Sequence, residues 1–230
     1  MAVYSLPKTF APAEKLDPII ERYKAFRLLS LKQSPESFSS SYEREIAFPD
    51  ETWIKRVCGP LSTNIIAVSG NPTGSEGNKE QERDLLLKEE WLASLTLSGP
   101  FDKEAAVAMF KNNMWIESPS IIMGDEIEFY FGLYAMYVAP NARGAGLGVS
   151  LVEYAKEKAL EIVGGKKTRL VLVVDFDNIG ARRTYEKGQF VLNHDYWFDD
   201  TRCGRAQRTQ SAVMRVDIGG PDSLRKNTTP

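Results

Sequence analysis

The pattern of hydrophobic and polar positions is clearest in the second half of the chain. The aromatic run "EIEFYFGLYAMYV", residues 126–138, predicts a long strand. Residues 146–165 place apolar side chains on one stripe and charged side chains on the other, which predicts a helix that two glycines end. The apolar stripe comprises Leu151, Val152, Ala155, Ala159 and Ile162.

More strands and a short helix follow. The nearly continuous apolar run "TRLVLVVD" predicts a strand that is buried on both faces. The segment "NIGARRTYEKGQF" predicts a helix from Asn178 to about Lys187 that ends at Gly188. The runs "FVLNHDYWF" and "SAVMRV" predict two further strands, and "GGPDSLRKNTTP" predicts a frayed tail.

The pattern in the first half of the chain predicts further helices and strands. Residues 17–35 carry apolar side chains at helical spacing. "PDETWIKRVCG" predicts a second helix, with Asp50 as its N-cap, Trp53 and Val57 on one face, and Gly59 as its end. "TNIIAVSG" and "EWLASLTLSG" predict strands, and "DKEAAVAMFKNN" predicts a short helix.

One polar segment interrupts these elements. Residues 70–83, "GNPTGSEGNKEQER", are rich in glycine and charge and carry no periodicity, which predicts a flexible insertion. Because strand-like sequence resumes directly afterwards, we expect one domain over residues 1–216 and a flexible tail over residues 217–230.

Composition limits the classes of function. The 230 residues are 43% hydrophobic and 26% charged, which is typical of a globular protein with a buried core. A net charge of −2 predicts no general affinity for nucleic acid or for an anionic membrane. We see no membrane span and no signal peptide, and therefore expect a cytoplasmic protein, with a nuclear location also compatible. Cys58 and Cys203 are too few for a disulfide framework or a zinc site, and we expect no metal.

A glycine cluster, Arg143–Gly148, lies between the long predicted strand and the helix after it. No lysine follows the glycines, which excludes a P-loop, and Val149 stands where a dinucleotide fingerprint needs its last glycine. The remaining pattern is R-x-x-G-x-G at a helix N-terminus. Its amide N–H groups either bind a pyrophosphate or form a tight turn with no ligand.

Together with the segment downstream, this cluster resembles the GNAT superfamily of N-acetyltransferases, as found in bacteria and fungi. In that family the next strand and helix carry an asparagine, an alanine, a tyrosine and a glycine–phenylalanine pair. The matches are Asn178, Ala181, Tyr185, Gly188 and Phe190, with Gln189 between the last two. The resemblance is close from about Leu133 to Phe190, weak over residues 26–57, and absent over residues 70–120.

The resemblance implies a mixed α/β fold, whose mostly antiparallel sheet is flanked by helices and splays at the cofactor site. It implies acetyl-CoA as co-substrate, bound by a core at about residues 126–192. The glycine loop would hold the pyrophosphate, and the preceding strand would pair with the pantetheine arm. The implied cofactor-binding residues are Met136, Tyr137, Val138, Arg143, Gly144, Ala145, Gly146, Leu147, Gly148, Asn178, Ala181 and Tyr185.

The resemblance also implies catalytic roles. Tyr185 would be the general acid that protonates the leaving thiolate; alternatively, it packs on the sheet. Asn178 would contact the pantetheine or order a water; alternatively, it caps its helix. The usual place of the base is Gly132, which leaves Glu128, on the same side of a regular strand, as the candidate, with Glu126 of the same parity. Either glutamate is alternatively a solvent-facing charge.

Several other side chains have two interpretations. A pair of arginines either reaches a nucleotide phosphate or forms a solvated helix face. An aromatic run either lines the acceptor site or packs in the core, and the only histidine is best read as structural. These residues are Arg182, Arg183, Tyr196, Trp197, Phe198 and His194.

We therefore expect an acetyl-CoA-dependent N-acetyltransferase that acts on a primary amine of a small molecule or peptide, by direct attack in a ternary complex. Two alternatives stay open: an inactive acyl-CoA-binding module, suggested by Gly132, and an NAD-dependent oxidoreductase. The expected partner is the amine substrate, with a homodimer also compatible, and neither nucleic acid nor membrane. The sequence does not determine the acceptor.

Overall fold

The computed structural model describes residues 1–10, 16–70, 79–114, 119–124, 126–202 and 206–220. The strands within these ranges are β1 Ala2–Ser5, β2 Ser62–Val68, β3 Trp91–Phe101, β4 Phe129–Val138, β5 Thr168–Asp175, β6 Val191–Asp200 and β7 Gln207–Ile218. The α-helices are α1 Pro18–Gln33, α2 Tyr42–Ile46, α3 Asp50–Cys58, α4 Lys79–Lys88, α5 Lys103–Met114, α6 Leu147–Ile162 and α7 Ile179–Lys187. Short 3-10 helices cover Pro35–Ser37, Pro119–Ile122 and Pro140–Ala142.

The strands form one sheet in the order β1-β2-β3-β4-β5-β7-β6. β1 is antiparallel to β2, and β5 is antiparallel to β7. β4 and β5 are parallel, and their register joins Phe129–Gly132 to Thr168–Val171. This register ends before either strand does, as expected of a sheet that splays. The predicted mixed α/β fold with a mostly antiparallel sheet is confirmed.

The chain divides into two compact units, each made from several stretches of sequence. The first unit comprises Met1–Thr96, Ala135–Leu151 and Asp200–Gln207. The second unit comprises Leu97–Tyr134, Val152–Asp199 and Arg208–Pro230. The boundaries fall inside β3, β4, α6, β6 and β7.

The helices of the first unit follow local sequence rules, with one correction. α3 begins after Pro49, so Asp50 is the first helical residue and not the predicted N-cap. Its carboxylate still lies in the first turn, where the helix dipole favours negative charge. Trp53 and Val57 are fully buried on one face, and Gly59 ends the helix, as predicted.

A buried carboxylate ties the helices of the first unit together. Glu45, on α2, is 0% exposed. Arg27, on α1, donates to both of its oxygens at 2.9 and 3.1 Å, and Arg56, on α3, donates to one at 2.6 Å. A charge can be buried at low cost only when its hydrogen-bonding capacity is met in this way. The cluster therefore fixes three helices through one side chain.

The second unit has its own hydrophobic core, in which α5 packs against the sheet. The fully buried members are Ala106, Phe110, Tyr130, Val171 and Val213. Beside them, Arg169 on β5 is 3% exposed and donates to both oxygens of Asp217 at 2.6 and 2.7 Å. It also donates to the carbonyls of Ile121 and Met123, so one guanidinium holds the segment before β4 onto the sheet.

One glycine in the second unit is required by the space around it. Gly188 ends α7 as predicted, but space rather than backbone conformation requires it. A Cβ built at Gly188 would lie 2.5 Å from Val152 Cγ1 on α6. The left-handed position is taken instead by the next residue, Gln189, at φ 66°.

Replacing Gly188 by alanine is expected to lower the free energy of unfolding by about 1–3 kcal/mol, because the added methyl overlaps Val152. In a double-mutant cycle measured by urea denaturation, Val152→Ala should recover part of that loss. Gly180→Ala is the matched control, since a Cβ at this position of the same helix meets no atom closer than 4.0 Å. An equal loss for both alanine variants would contradict the steric explanation.

Some predictions from the sequence pattern are wrong in detail. The flexible insertion over residues 70–83 is wrong for its last part, because α4 begins at Lys79. The three leucines of this helix, Leu85, Leu86 and Leu87, are consecutive rather than spaced at helical intervals, and they follow residue 83, so residues 79–83 carry no periodic signal of their own. On α6, Ile162 is 41% exposed, and Val163 is buried in its place. Residues 71–78, Cys203 and the tail from residue 221 lie outside the described residues.

Among the described residues, no helix has the length and the apolar composition that a membrane-spanning segment requires.

Candidate functional site

The glycine loop lies in the first unit, between the end of β4 and the start of α6. Gly144 and Gly146 have φ values of 83° and 81°, and a Cβ at either position would meet open space. These glycines are therefore required by a left-handed backbone and not by crowding. The first hydrogen bond of α6 runs from Ser150 N–H to Gly146 O, at 3.1 Å. The amide N–H groups that precede it have no acceptor inside the helix and are the groups that an anion binds at a helix N-terminus.

The side chain of Arg143 anchors this loop. Its Nε donates to the carbonyl of Val138 at 3.1 Å, and its Nη2 donates to Ser34 Oγ at 3.0 Å. Ser34 is buried and directly follows α1. The guanidinium thus connects both ends of the loop region to a helix more than a hundred positions away. This leaves the backbone of Arg143, rather than its side chain, for the predicted contact with pyrophosphate.

The strand segment before the loop is held in the same way. Tyr137 is buried, and its ring packs edge-on against Phe26 with centroids 5.5 Å apart. Its hydroxyl donates to the side-chain oxygen of Gln33, at the end of α1. Met136 and Val138 are half-buried. Sequence reasoning missed Gln33 and Ser34, because no local pattern links α1 to a loop so distant in sequence.

Within β4, Ala135 has a φ of 51°, a left-handed conformation that is rare for a residue with a side chain. Before it, four consecutive residues from Tyr130 to Leu133 are buried, so the strand does not alternate regularly. Backbone strain of this kind interrupts a ladder and redirects the amides that follow. The predicted pantetheine-pairing segment, residues 136–138, begins directly after this point.

In the second unit, Asn178 and Ala181 are joined by a helix cap. Asn178 is the N-cap of α7, and its Oδ1 accepts a hydrogen bond from Ala181 N–H at 3.1 Å. The capping role that the sequence left as an alternative is therefore present. A contact of Asn178 or Ala181 with the cofactor stays a prediction.

Tyr185 is on the same helix and is 7% exposed. Its ring lies 5.9 Å from the ring of Phe190, centroid to centroid. Burial raises the pKa of the Tyr185 phenol, because the phenolate would lose its hydration. The side chain is thus a neutral O–H donor at physiological pH, a state that suits a general acid and excludes a base.

The side chain of Tyr134 lies over Gly132 and leaves no room for a Cβ at this position. A Cβ at Gly132 would lie 2.5 Å from Tyr134 Cε2 and 2.9 Å from its hydroxyl oxygen. The Tyr134 hydroxyl donates to the sulfur of Met109, and burial raises its pKa. A carboxylate-bearing side chain at position 132 therefore cannot be accommodated unless Tyr134 moves.

The two candidate bases lie at the surface of the second unit. Glu128 is exposed and forms an ion pair with Lys166 at 3.2 Å. Glu126 is paired with Lys167, whose hydrogen bond lowers the pKa of the Glu126 carboxyl. The argument from strand parity does not hold for either, because β4 begins only at Phe129. Their surroundings match the alternative of solvent-facing charges, and Glu128 as a base stays a prediction.

Several of the remaining candidate side chains have structural partners. Arg182 stacks on Phe176 at 4.0 Å from the ring centroid and donates to the Phe176 carbonyl, so it closes the turn before α7. His194 is half-buried, and desolvation lowers its pKa although Asp195 opposes this. Tyr196 packs against the core, whereas Trp197 is 54% exposed.

The predicted site residues thus fall into two groups. The first unit holds the residues 136–138 and the glycine loop, and the second unit holds Glu128, Asn178, Ala181 and Tyr185. Across the described ranges, no group of three or more histidine, cysteine, aspartate or glutamate side chains is arranged to hold a metal ion.

The family model described as "Acetyltransferase (GNAT) family" matches residues 81–189. Residues 81–189 are therefore similar to a GNAT acetyltransferase domain. The match includes the glycine loop and Tyr185, and it reaches further towards the N-terminus than the resemblance seen in the sequence. The expectation that residues 70–120 lie outside the family is therefore wrong for residues 81–120.

Solved structures support the GNAT fold over nearly the whole chain. Arabidopsis thaliana NAA60 in complex with a bisubstrate analogue is 14% identical, with a TM-score of 0.57, covering 95% of this chain and 100% of that one. A phosphinothricin acetyltransferase from Sinorhizobium meliloti, in complex with acetyl-CoA, is 11% identical, with a TM-score of 0.58, covering 95% and 88%. Spermidine N-acetyltransferase from Vibrio cholerae, in complex with CoA and spermine, is 12% identical, with a TM-score of 0.54, covering 94% and 95%. A search of curated proteins found no match.

Proposed function

We propose that this protein is an acetyl-CoA-dependent N-acetyltransferase that acetylates a primary amine of a small molecule or peptide by direct attack in a ternary complex. The observation that carries the proposal is the glycine loop. Its two left-handed glycines, in open space at the N-terminus of α6, lie within the stretch that matches the acetyltransferase family. The similar structures, which were solved in complex with a bisubstrate analogue, with acetyl-CoA, and with CoA and spermine, support the same class of reaction.

In the proposed reaction the protein first binds acetyl-CoA. The amide N–H groups of the glycine loop and of the first turn of α6 lie at the positive end of the helix dipole, and both features favour binding of an anion. This suits a pyrophosphate without any lysine. The side chain of Arg143, bonded to Val138 and Ser34, keeps the loop in that conformation before the co-substrate arrives. Such pre-organisation reduces the entropy that binding costs.

The second step is acyl transfer. The neutral amine attacks the thioester carbonyl, so that a C–N bond forms and the C–S bond breaks. The thiolate that leaves has a basicity like that of a cysteine and needs a proton, which the Tyr185 phenol would donate. The amine loses one proton on becoming an amide. Because a carboxylate-bearing side chain at position 132 would overlap Tyr134, we propose that the amine enters already neutral and that this proton passes to water, from which the Tyr185 phenolate regains its proton.

Replacing Gly146 by alanine is expected to raise the Kd for acetyl-CoA about tenfold or more, because the loop can then no longer keep its left-handed backbone. Gly164→Ala is the matched control, since Gly164 also has a positive φ, 64°, and open space around its Cβ position, but lies at the end of α6. Isothermal titration with acetyl-CoA measures both. Equal binding by the two variants would show that the loop is a turn without a ligand.

Thiol release in the presence of an amine panel tests the reaction itself. The panel comprises polyamines, amino acids, aminoglycosides and peptides with a free N-terminus. Turnover with one class supports the proposal and identifies the acceptor. Tight binding of acetyl-CoA with no turnover on any amine would instead indicate an inactive acyl-CoA-binding module, and binding of NAD in its place would indicate an oxidoreductase.

A further inference from the structure

The last residue of α1, Gln33, is hydrogen-bonded to the strand segment that is expected to bind acetyl-CoA. Its side chain is exposed, yet the hydroxyl of the buried Tyr137 donates to its Oε1. Tyr137 itself is fixed, because its ring packs edge-on against Phe26 on the same helix. An exposed glutamine normally samples several rotamers, and this contact holds the carboxamide of Gln33 in one of them.

The bond from Tyr137 also determines which end of the carboxamide is available. Burial raises the pKa of the Tyr137 phenol, although the nearby Arg143 opposes this, so the hydroxyl is protonated and donates. A carboxamide accepts through its oxygen and donates through its nitrogen. Tyr137 thus engages Oε1, whereas the N–H groups of Nε2 have no acceptor among the residues that the structure describes.

The residue after Gln33 is bonded to the other end of the same stretch of chain. Ser34 accepts a hydrogen bond from Arg143, whose Nε donates to the carbonyl of Val138. Two consecutive residues at the end of α1 therefore bind the two ends of residues 137–143. Ser34 is bonded to the end that begins the glycine loop, and Gln33 to the end that belongs to the expected pantetheine-pairing segment.

We propose that Gln33 is a further acetyl-CoA-binding residue, whose Nε2 donates a hydrogen bond to an amide carbonyl of the pantetheine arm, an inference that rests on the proposed function. The arm contains two amide groups, and an arm that pairs with β4 like an extra strand uses some of their N–H and C=O groups on the strand. A carbonyl oxygen has two lone pairs, so one can accept from the strand and the other from Gln33.

The hydroxyl of Tyr137 is then a positioning group, which acts on the co-substrate through Gln33. Because it holds the carboxamide before acetyl-CoA arrives, little rotamer freedom is lost on binding. The backbone of Tyr137 keeps its expected role in pairing with the arm. One hydrogen bond between uncharged groups changes a binding constant by about two- to tenfold, which sets the size of the expected effect.

Isothermal titration tests the contact with two ligands that differ in the arm. Acetyl-CoA carries it, whereas 3′-phosphoadenosine 5′-diphosphate carries the adenosine and the phosphates without it. Gln33→Met keeps the length of the side chain but removes its hydrogen-bonding groups. It should raise the Kd for acetyl-CoA about fivefold and change the Kd for the nucleotide by less than about twofold.

Gln81→Met is the matched control, because Gln81 is an exposed glutamine on α4, and it should leave both Kd values unchanged. An acetyl-CoA Kd of Gln33→Met equal to that of the wild type would overturn the inference. An equal rise for both ligands would also overturn it, since the effect would then lie outside the arm.

Gln33→Glu separates a bond to the arm from a role in holding Tyr137. The carboxylate still accepts from the Tyr137 hydroxyl but has no N–H to donate. The Kd for acetyl-CoA should therefore rise at least about fivefold more than the Kd for the nucleotide. Repulsion by the added charge acts on phosphates that both ligands carry, so it does not produce this difference. A wild-type ratio of the two Kd values would show that Gln33 only holds Tyr137, and would overturn the inference.

The wild type distinguishes this inference from the proposed function. Wild-type protein that does not bind acetyl-CoA would overturn both. Wild-type protein that binds acetyl-CoA, with Gln33 variants that bind it equally well, would leave the glycine loop as the site of the co-substrate and overturn only the role of Gln33.

Discussion

Tyr185→Phe is expected to lower kcat of the proposed acetyl transfer about 100-fold, with little change in KM. The substitution removes one oxygen from a side chain that is 7% exposed and keeps the ring packed against Phe190. What is lost is the proton that the leaving thiolate needs. Thiol release at saturating acetyl-CoA and amine measures the effect once an acceptor is known.

The pH dependence of the acetyl-transfer rate is a second test of Tyr185 as the general acid. Burial raises the pKa of Tyr185, so the phenol stays protonated between about pH 7 and pH 9 and the acid is available throughout. In that range the rate should rise with pH, because a larger fraction of an alkylamine with a pKa of about 10 is neutral. A rate that falls above about pH 8 would contradict a phenol as the acid.

Tyr134→Phe is the matched control for the loss of a phenolic oxygen. Tyr134 is also a phenol whose pKa burial raises, and its hydroxyl donates only to a thioether in the contacts described, which is a weak acceptor. Its removal should change kcat by less than about threefold. If Tyr185→Phe, correctly folded by circular dichroism, retains kcat within the same margin, then Tyr185 is a core residue and not the acid.

Glu45→Gln is expected to lower the free energy of unfolding at pH 7 by about 3–5 kcal/mol, because it leaves Arg27 and Arg56 without the anion that compensates their burial. Burial alone would raise the pKa of Glu45, but the hydrogen bonds from the two arginines outweigh it and lower this pKa to about 2. The lowered pKa corresponds to about 3 kcal/mol of stability at neutral pH.

The sign of this contribution sets its pH window. A carboxyl group with a lowered pKa in the folded state stabilises the protein above its unfolded pKa, about 4.5, and loses that effect as the pH falls towards 2. Urea denaturation of the wild type should therefore show a loss between about pH 5 and pH 2, which Glu45→Gln should largely lack. Glu43→Gln, at an exposed position of the same helix, should behave like the wild type. An unchanged pH profile in Glu45→Gln would contradict the role of the cluster.

Local sequence patterns were sufficient to predict those helices and strands whose burial follows from their own periodicity. The run at residues 168–175 and the amphipathic stretch that became α6 were both predicted, because hydrophobic periodicity reflects burial directly. The same reasoning failed for the first turn of α4, because the apolar residues of this helix are three consecutive leucines at positions 85–87. For the glycine loop, spacing excluded a P-loop and matched a dinucleotide fingerprint poorly.

The sequence by itself therefore determined the fold class, the resemblance to GNAT acetyltransferases and the position of the loop on which the proposal rests. Only the tertiary structure showed three contacts. Gly188 lies against Val152, Tyr134 leaves no room for an acidic side chain at position 132, and Ser34 binds the side chain of Arg143. Each of these depends on contacts between residues that belong to different elements or that a bend brings together. Periodicity and spacing describe one segment at a time. They therefore carry no information on which side chain from a distant segment packs against a given residue.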